Sequence, residues 1–215
     1  MKYDLLLCGV GGQGIITLSE IIATAALNKG LKTIVTQEKG LAQRGGSVQA
    51  HIRLGEVFSP TMPKRGANGF ISLELNETFG YLDFLNIDTM SVVSDTVIVS
   101  GETDKTNKNK MEEPEKLVRL ASEKLLSKLG PNTMIVAAKK KAIDLGVPRG
   151  VNIFMVGVLS GMDSTLATLI DRSDLETAIS AVVRHNLEDN IKVFNKGVEY
   201  GKTRKSKHAD SAGKE

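Results

Sequence analysis

The sequence predicts an α/β fold, in which a three-layer, Rossmann-like, mostly parallel sheet is flanked by helices and followed by a helical C-terminal segment. Short apolar runs typical of buried strands alternate with helical patterns over the first 150 residues. A glycine-rich turn joins the first strand to the first helix, and only helical patterns follow Asn152. In a chain of 215 residues, we expect one α/β domain over residues 1–200 and a disordered basic tail over residues 201–215.

The start of the chain predicts a strand, a helix and a second strand. Tyr3–Cys8 is a short apolar run that ends at a glycine, as buried strands often do. Gln13–Asn28 has apolar residues at helical spacing, and Gly30 ends the helix. Leu31–Thr36 is apolar and β-branched, which indicates a strand. We expect these two strands to be parallel, with a right-handed crossover between them.

Polar and apolar residues alternate strictly in the next predicted strand, Ser47–Leu54, which follows a polar loop over Gln37–Gly46. Gln49, His51 and Arg53 share its polar face. We expect this face to be solvated or to fill an interface, and the alternative is that it lines a cleft shared with a partner.

The remaining elements follow from the same patterns. Further strands are expected within Gly69–Leu73, Ser91–Ser100 and Thr133–Ala138, and helices over Asn76–Leu85, Glu115–Leu129 and Lys139–Leu145. The polar segment Glu102–Glu113 is expected to be a surface loop or lid. Ser173 and Glu176 predict a capping box at the start of a helix that runs to about Leu187. Gly157 and Gly161, one turn apart, would allow another backbone to approach closely.

The composition excludes several classes of protein. The single cysteine, Cys8, cannot form an internal disulfide or hold an iron–sulfur cluster, and three scattered histidines make a metal site unexpected. Without tryptophan, and with only six phenylalanines and three tyrosines, the chain has little material for stacking on nucleic acid. Five of the 28 basic and two of the 25 acidic residues lie within residues 202–215, so the net charge of +3 belongs to the tail.

No apolar run reaches the ~18 to 20 residues that are needed to span a bilayer. The N-terminus also lacks the apolar region and cleavage site of a signal peptide. We therefore expect a cytoplasmic protein that binds neither membranes nor nucleic acid.

The first glycine cluster, Gly9–Gly14, matches the dinucleotide fingerprint G-x-G-x-x-G between a predicted strand and helix. Its glycines would let backbone amides approach a pyrophosphate, whose charge the helix N-terminus favours. Glu38 is the candidate for the adenine ribose, although it lies one or two residues late, and no downstream group is a plausible acid or base for hydride transfer. A dinucleotide site, a turn that needs glycine only for packing, and a site for another anion all stay open.

The second cluster, Ala42-Gln43-Arg44-Gly45-Gly46-Ser47-Val48, comes directly before the alternating strand. Its backbone amides could meet an oxyanion, and the guanidinium of Arg44 can bind a phosphate or carboxylate through two hydrogen bonds. The alternative is a simple bend with a solvent-exposed Arg44.

Together with His51-x-Arg53, Ser59-Pro60 and the pattern Gly146-Val147-Pro148, the two clusters resemble the gamma-type subunit of 2-oxoacid:ferredoxin oxidoreductases. The resemblance covers residues 1 to about 200 and includes Asn152 and Gly157. The second cluster is most similar to that of the small (beta) subunit of indolepyruvate ferredoxin oxidoreductase, rather than to the pyruvate or 2-oxoglutarate versions.

This resemblance implies a noncatalytic subunit that is inactive alone and binds no cofactor by itself. A large catalytic partner would carry thiamine diphosphate, Mg²⁺ and iron–sulfur clusters, with the thiamine supplying the carbanion chemistry. The complex would convert an aryl 2-oxoacid and coenzyme A (CoA) to acyl-CoA and carbon dioxide, and would reduce ferredoxin. On this chain we expect no catalytic residue and no metal ligand, but a phosphate, CoA or partner-cleft site formed by Gly11, Gly12, Gln13, Gly14, Gln43, Arg44, Gly45 and Gly46.

Two other classes of function stay open from the sequence. An independent NAD(P)-binding Rossmann oxidoreductase would bind a nicotinamide cofactor by itself, and a stand-alone anion-binding regulatory protein would bind its ligand without a catalytic partner. The missing acid–base group argues against the first, and the resemblance at both glycine clusters argues against the second.

Overall fold

The computed structural model describes residues 1–40, 46–98 and 114–212, and six strands within them form one sheet. The strands are β1 (Lys2–Val10), β2 (Thr33–Lys39), β3 (Ser47–Gly55), β4 (Gly69–Ser72), β5 (Met90–Ser94) and β6 (Thr133–Val136). Their order across the sheet is β2-β3-β1-β4-β5-β6.

The sheet is mostly parallel, as predicted. β1, β4, β5 and β6 pair in parallel, whereas β3 is antiparallel to both of its neighbours, β1 and β2. β1 and β2 therefore run in the same direction, as expected for the first β-α-β unit. They are not adjacent, however, because β3 lies between them.

Helices cover both faces of the sheet. They are α1 (Ile15–Asn28), α2 (Pro114–Leu126), α3 (Ala138–Asp144), α4 (Val151–Met162), α5 (Ser164–Leu169), α6 (Arg172–Val182) and α7 (Leu187–Ala212), with a 3-10 helix at Glu77–Phe84. From Val151 to Ala212 the chain is helical apart from short connections, as predicted.

The sheet has an apolar core on each face, and helices cover both cores, which gives a three-layer fold. Leu5 and Leu7 of β1 face a large core that includes residues of α1, α4, α6 and α7. Leu6 and Cys8 face a smaller core on the other side, which includes Leu125 of α2 and is flanked by side chains of the 3-10 helix. Because both faces of β1 are covered, its sequence is a continuous apolar run rather than an alternating one.

α4 and α7 pack closely through glycines, which confirms the prediction from Gly157 and Gly161. A Cβ atom on Gly157 would lie 3.1 Å from the Cα of Gly197, and one on Gly161 would lie 3.2 Å from the Cα of Gly201. Both contacts need glycine on each helix, since any larger side chain would push the two backbones apart.

The predicted capping box at Ser173 and Glu176 is wrong. The cap of α6 is Asp171, whose carboxylate accepts hydrogen bonds from the backbone N–H groups of Ser173 (2.8 Å) and Asp174 (3.1 Å). The Asp174 side chain completes the box by accepting from the Asp171 N–H. The usual capping-box signature, Ser or Thr followed three residues later by Glu, does not include this cap, because aspartate fills both positions. The helix ends at Val182, before the predicted end near Leu187.

Other boundaries differ from those predicted. β2 begins two residues later than Leu31 and extends to Lys39, so it contains Glu38. β5 ends at Ser94, well before Ser100. α7 continues to Ala212, past the predicted domain boundary at residue 200, since lysine, arginine and alanine favour helix. The predicted loop over 102–113 lies outside the described residues.

Candidate functional site

The first glycine cluster forms the turn between the carboxyl end of β1 and the start of α1. Gly12 and Gly14 have φ angles of +96° and +85°, a backbone conformation that residues with a side chain rarely adopt. A Cβ atom on Gly12 would meet no atom within 4 Å among residues 1–40, 46–98 and 114–212, so within this part of the chain the backbone borders open space. The turn therefore presents bare backbone at the edge of the sheet.

Gln13 holds this turn in place. Its Oε1 accepts a hydrogen bond from the Val10 N–H (2.7 Å), and its Nε2 donates to the Leu73 carbonyl at the end of β4 (2.9 Å). Both ends of the amide are thus used within the chain. The structure places Gln13 at the predicted site, in a position that ties the turn of β1 to the neighbouring strand rather than as a free ligand-binding group.

The two glycine clusters meet in the structure. The Gly11 N–H donates to the Gly46 carbonyl at 2.9 Å, and Ser47 then pairs with Val10 as β3 runs back along β1. Gly46 therefore lies beside the first turn. The predicted site residues Gln43, Arg44 and Gly45 lie outside the described residues.

Asn152, in the first turn of α4, also contacts the glycine turn. Its Nδ2 donates to the Gly14 carbonyl at 3.4 Å, and a Cβ atom on Gly14 would collide with the Asn152 side chain. From the sequence, Asn152 was expected only as part of the pattern that resembles the gamma-type subunits. A polar residue at the start of an otherwise apolar helix was the available signal, because buried polar side chains need partners.

The turn suits an anionic ligand. Gly14 is the N-cap of α1 and contributes no side-chain cap, and the first turn of the helix carries no acidic residue. The first amides of a helix have no partners within it, and they carry a partial positive charge that favours phosphate or carboxylate.

Two polar groups near the turn, Glu74 and Cys8, are unsuited to acid–base or nucleophilic catalysis. The buried carboxylate of Glu74, just beyond β4, accepts hydrogen bonds from the backbone N–H groups of Glu77 (2.6 Å) and Ile98 (2.9 Å). Burial raises the pKa of the Cys8 thiol, which keeps it protonated and unreactive. Neither Glu74 nor Cys8 is therefore available as a base or a nucleophile at the turn.

Glu38 is poorly placed for a dinucleotide ribose. In the dinucleotide-binding fold the acidic residue follows a strand adjacent to β1. Here β3 separates β2 from β1. Glu38 therefore lies about one strand spacing, ~4.8 Å, farther from the glycine turn than that acidic residue would. Its carboxylate also accepts a hydrogen bond from Gln49 Nε2 at 2.5 Å.

The polar face of β3 is more buried than expected. His51 is 1% exposed and Arg53 is 5% exposed, so the expectation of a solvated face is wrong for both. The Arg53 guanidinium donates to Asp4 and to the carbonyls of Ser59 and Thr61, which fold back over the sheet. Alternation along a strand cannot show that a later loop covers its polar face.

Burial also lowers the pKa of His51, mainly because the charged imidazolium loses hydration. Its ring packs edge-on against Phe84 of the 3-10 helix, with the ring centres 5.2 Å apart. The lowered pKa of His51 favours the neutral form of the ring.

Among residues 1–40, 46–98 and 114–212, no group of three or more His, Cys, Asp or Glu side chains is arranged to hold a metal ion. In the same part of the chain, no helix combines the length and apolarity that crossing a membrane requires.

Comparison with known proteins assigns the chain to a family. The sequence model of the family "Pyruvate ferredoxin/flavodoxin oxidoreductase" matches residues 4–200. "Indolepyruvate oxidoreductase subunit IorB" of Archaeoglobus fulgidus is 34% identical over 201 residues, which cover 92% of this chain and 96% of that protein. The match extends over nearly the whole of both proteins.

Two solved structures share the fold. The gamma subunit of a keto/oxoacid ferredoxin oxidoreductase from Geobacter sulfurreducens matches with a TM-score of 0.64 at 20% identity, covering 94% of this chain and 97% of that one. The 2-oxoglutarate:ferredoxin oxidoreductase from Magnetococcus marinus matches with a TM-score of 0.66 at 17% identity. There the match covers 94% of this chain and 31% of the longer one. The same fold therefore occurs both as a separate subunit and within a larger chain.

Proposed function

This chain belongs to the pyruvate ferredoxin/flavodoxin oxidoreductase family, and we propose that it is the small, noncatalytic subunit of a 2-oxoacid:ferredoxin oxidoreductase of the indolepyruvate type. The observation that carries this proposal is the 34% identity to an indolepyruvate oxidoreductase subunit over 92% of this chain. Three further relatives with the same subunit name match as well.

The chemistry would be divided between two chains. A large partner subunit would hold thiamine diphosphate, Mg²⁺ and the iron–sulfur clusters, and thiamine would supply the carbanion chemistry of decarboxylation. One cysteine in this chain is too few for a cluster. The complex would convert an aryl 2-oxoacid and CoA to acyl-CoA and carbon dioxide, and would pass the electrons to ferredoxin in the cytoplasm.

The glycine turn is where we propose that this chain contributes to the complex. Gly11, Gly12, Gly14 and Gly46 would present backbone at the partner cleft, close to the phosphates of CoA or to an acidic group of the partner. The positive end of α1 and the open space beside Gly12 support such a contact. Gln13 would act by keeping the turn in this conformation, because its amide oxygen and its amide nitrogen each make a hydrogen bond within the chain.

An independent NAD(P)-dependent oxidoreductase is not favoured. β3 separates Glu38 from the glycine turn, and the Glu38 carboxylate is paired with Gln49. The identity to named subunits over nearly the full length of both proteins also argues against it.

The test is anaerobic co-purification of the tagged chain with a co-produced catalytic subunit. We expect a stable complex that reduces ferredoxin with indolepyruvate or phenylpyruvate and CoA, while either chain alone is inactive. Substrate competition with pyruvate and 2-oxoglutarate would establish the preference. A chain that purifies alone and binds NAD or NADP in calorimetry would contradict the proposal.

A further inference from the structure

β2 lies at an edge of the sheet, so only one of its sides is paired, with β3. The Gly40 N–H donates to the Ser47 carbonyl and the Gly55 N–H donates to the Lys32 carbonyl, each at 2.8 Å. These two bonds mark hydrogen-bonded pairs at both ends of the antiparallel ladder. Because such pairs alternate along a ladder, every second residue of β2 bonds to β3, and the others direct their N–H and C=O groups outwards. The outward residues are Thr33, Val35, Gln37 and Lys39.

This edge is long and regular. β2 has seven residues in one continuous register with β3, without proline or a bulge, whereas β6, at the opposite edge, has only four residues. Within residues 1–40, 46–98 and 114–212, no backbone group pairs with the outward N–H and C=O groups of β2. Short length, proline and bulges are ways in which proteins prevent edge strands from pairing, and β2 has none of them. Its edge is therefore a template for one further strand.

A large exposed apolar side chain lies beside this edge. Phe58, in the loop after β3, is 85% exposed, and Lys32 Nζ lies 4.0 Å from the centre of its ring. The loop contacts β2, since the Thr36 hydroxyl donates to the Pro60 carbonyl at 3.2 Å. Aromatic side chains are enriched where proteins contact each other. The edge of β2 and Phe58 together therefore form a candidate contact surface.

Backbone pairing restricts how a second copy of β2 can align with the first. Two identical strands related by a two-fold axis are antiparallel, and each outward residue must face an outward residue of the other strand. A register centred on Val35 meets this condition. Val35 then faces Val35 of the second copy, and Thr33 faces the second copy's Gln37.

The same register joins opposite charges. It places Lys32 opposite the second copy's Glu38, and the two-fold axis repeats this contact. Both residues are exposed, and the alternation of the strand puts them on the same face of the sheet. Glu38 Oε2 accepts from Gln49, and the other carboxylate oxygen can accept from an ammonium group. A register centred on Thr36 would instead place Glu38 opposite Ile34, and one centred on Glu38 would bring like charges together, which is unfavourable.

We propose that β2 pairs with β2 of a second copy of this chain, antiparallel and centred on Val35, so that one sheet continues through both copies. The outward residues carry the backbone hydrogen bonds between the copies. Two ion pairs between Lys32 and Glu38, one on either side of the axis, set the register. The proposal concerns the chain by itself and does not rest on the proposed function.

Sedimentation equilibrium of the isolated full chain tests this interface. We expect a reversible equilibrium between monomer and dimer. Lys32→Glu and Glu38→Lys should each raise the dissociation constant of the dimer about tenfold or more, because each variant places like charges opposite one another twice. The double variant Lys32→Glu/Glu38→Lys restores opposite charges, so its dissociation constant should return to within about threefold of the wild-type value. Asp144→Lys, at an exposed acid of α3, is the control and should leave the constant unchanged.

Val35→Pro tests the backbone pairing directly. The Val35 N–H points outwards, so proline removes a donor between the copies and keeps the hydrogen bonds between β2 and β3, as proline in edge strands can do. We expect this variant to be monomeric, with a circular dichroism spectrum like that of the wild-type chain. If proline alters the spectrum, the charge variants alone decide the proposal.

The proposal is overturned if the isolated chain stays monomeric up to about 0.5 mM, a concentration at which a dimer with a micromolar dissociation constant would be nearly complete. It is also overturned if a dimer forms but neither the charge reversals nor Val35→Pro weaken it. Protection of the outward β2 amides from hydrogen exchange only after assembly with a catalytic subunit would assign the edge to a strand of that subunit and would likewise overturn the proposal. Failure of the two subunits to assemble would contradict the proposed function alone.

Discussion

The buried ion pair between Arg53 and Asp4 gives a quantitative test of the fold. Arg53→Met removes the guanidinium and leaves the Asp4 carboxylate, which is fully buried, without its main partner. Removing one member of a buried pair typically costs about 3–5 kcal/mol of unfolding free energy. Lys2, whose Nζ is 2.8 Å from Asp4 Oδ2, would still compensate in part, so we expect the lower end, ~3 kcal/mol.

Urea unfolding followed by circular dichroism measures this loss. With an m-value of about 2 kcal/mol per molar urea, ~3 kcal/mol lowers the midpoint by about 1.5 M. The control is Arg149→Met, at an exposed arginine, for which we expect a change within about 0.5 kcal/mol. The double variant Asp4→Leu/Arg53→Met should recover most of the stability, because it removes both charges together. A loss below about 1 kcal/mol for Arg53→Met, or a double variant no more stable than Arg53→Met, would refute the reasoning.

Four further predictions concern the glycine turn, the helix packing, pH and the second glycine cluster. Gln13→Leu leaves the Val10 N–H and the Leu73 carbonyl without their partner. Urea unfolding should therefore show a loss of about 2 kcal/mol in unfolding free energy, and the activity of the complex should fall. An unchanged unfolding free energy would contradict the bridging role of Gln13. Gly157→Ala should cost about 1–3 kcal/mol, because its Cβ would overlap the backbone of α7, whereas Gly80→Ala, in open space, is the control and should cost less. Burial lowers the pKa of His51 in the folded chain, so its protonation favours unfolding. As the pH drops below about 6.5, the unfolding free energy of the wild-type chain should therefore fall more than that of His51→Gln. Parallel plots of unfolding free energy against pH for the two proteins would contradict this. Arg44→Ala should lower turnover of the assembled complex without unfolding this chain, and unchanged kinetics with CoA and oxoacid varied would remove Arg44 from the site.

Much of the fold was predictable because it follows from local patterns. The apolar run of β1, the helical spacing of α1 and the alternation along β3 identified these three elements. The glycines at 9, 11 and 14 identified the turn between β1 and α1, where the positive φ angles of Gly12 and Gly14 favour glycine. The two glycine clusters and their spacing also indicated the family, which the comparisons confirm.

The role of Gln13 was not predictable from its position in a glycine-rich turn. The same position could equally have presented its amide to a ligand, and only the nearness of the end of β4 directs the side chain to the Leu73 carbonyl, 60 residues away. Asn152 reaches Gly14 across a separation of 138 residues, so no local pattern connects them.

The sequence by itself determined the local elements of this protein, the glycine turn and the family, because these depend on neighbours along the chain. Only the tertiary structure decided the strand order that separates Glu38 from the turn, and the burial of His51 and Arg53 on the polar face of β3. These features depend on contacts between distant segments, such as the 2.5 Å hydrogen bond from the Tyr3 hydroxyl to Asp163. The physical reason is that a buried polar group forms hydrogen bonds with the groups that the fold brings close to it, and the adjacent sequence does not specify those groups.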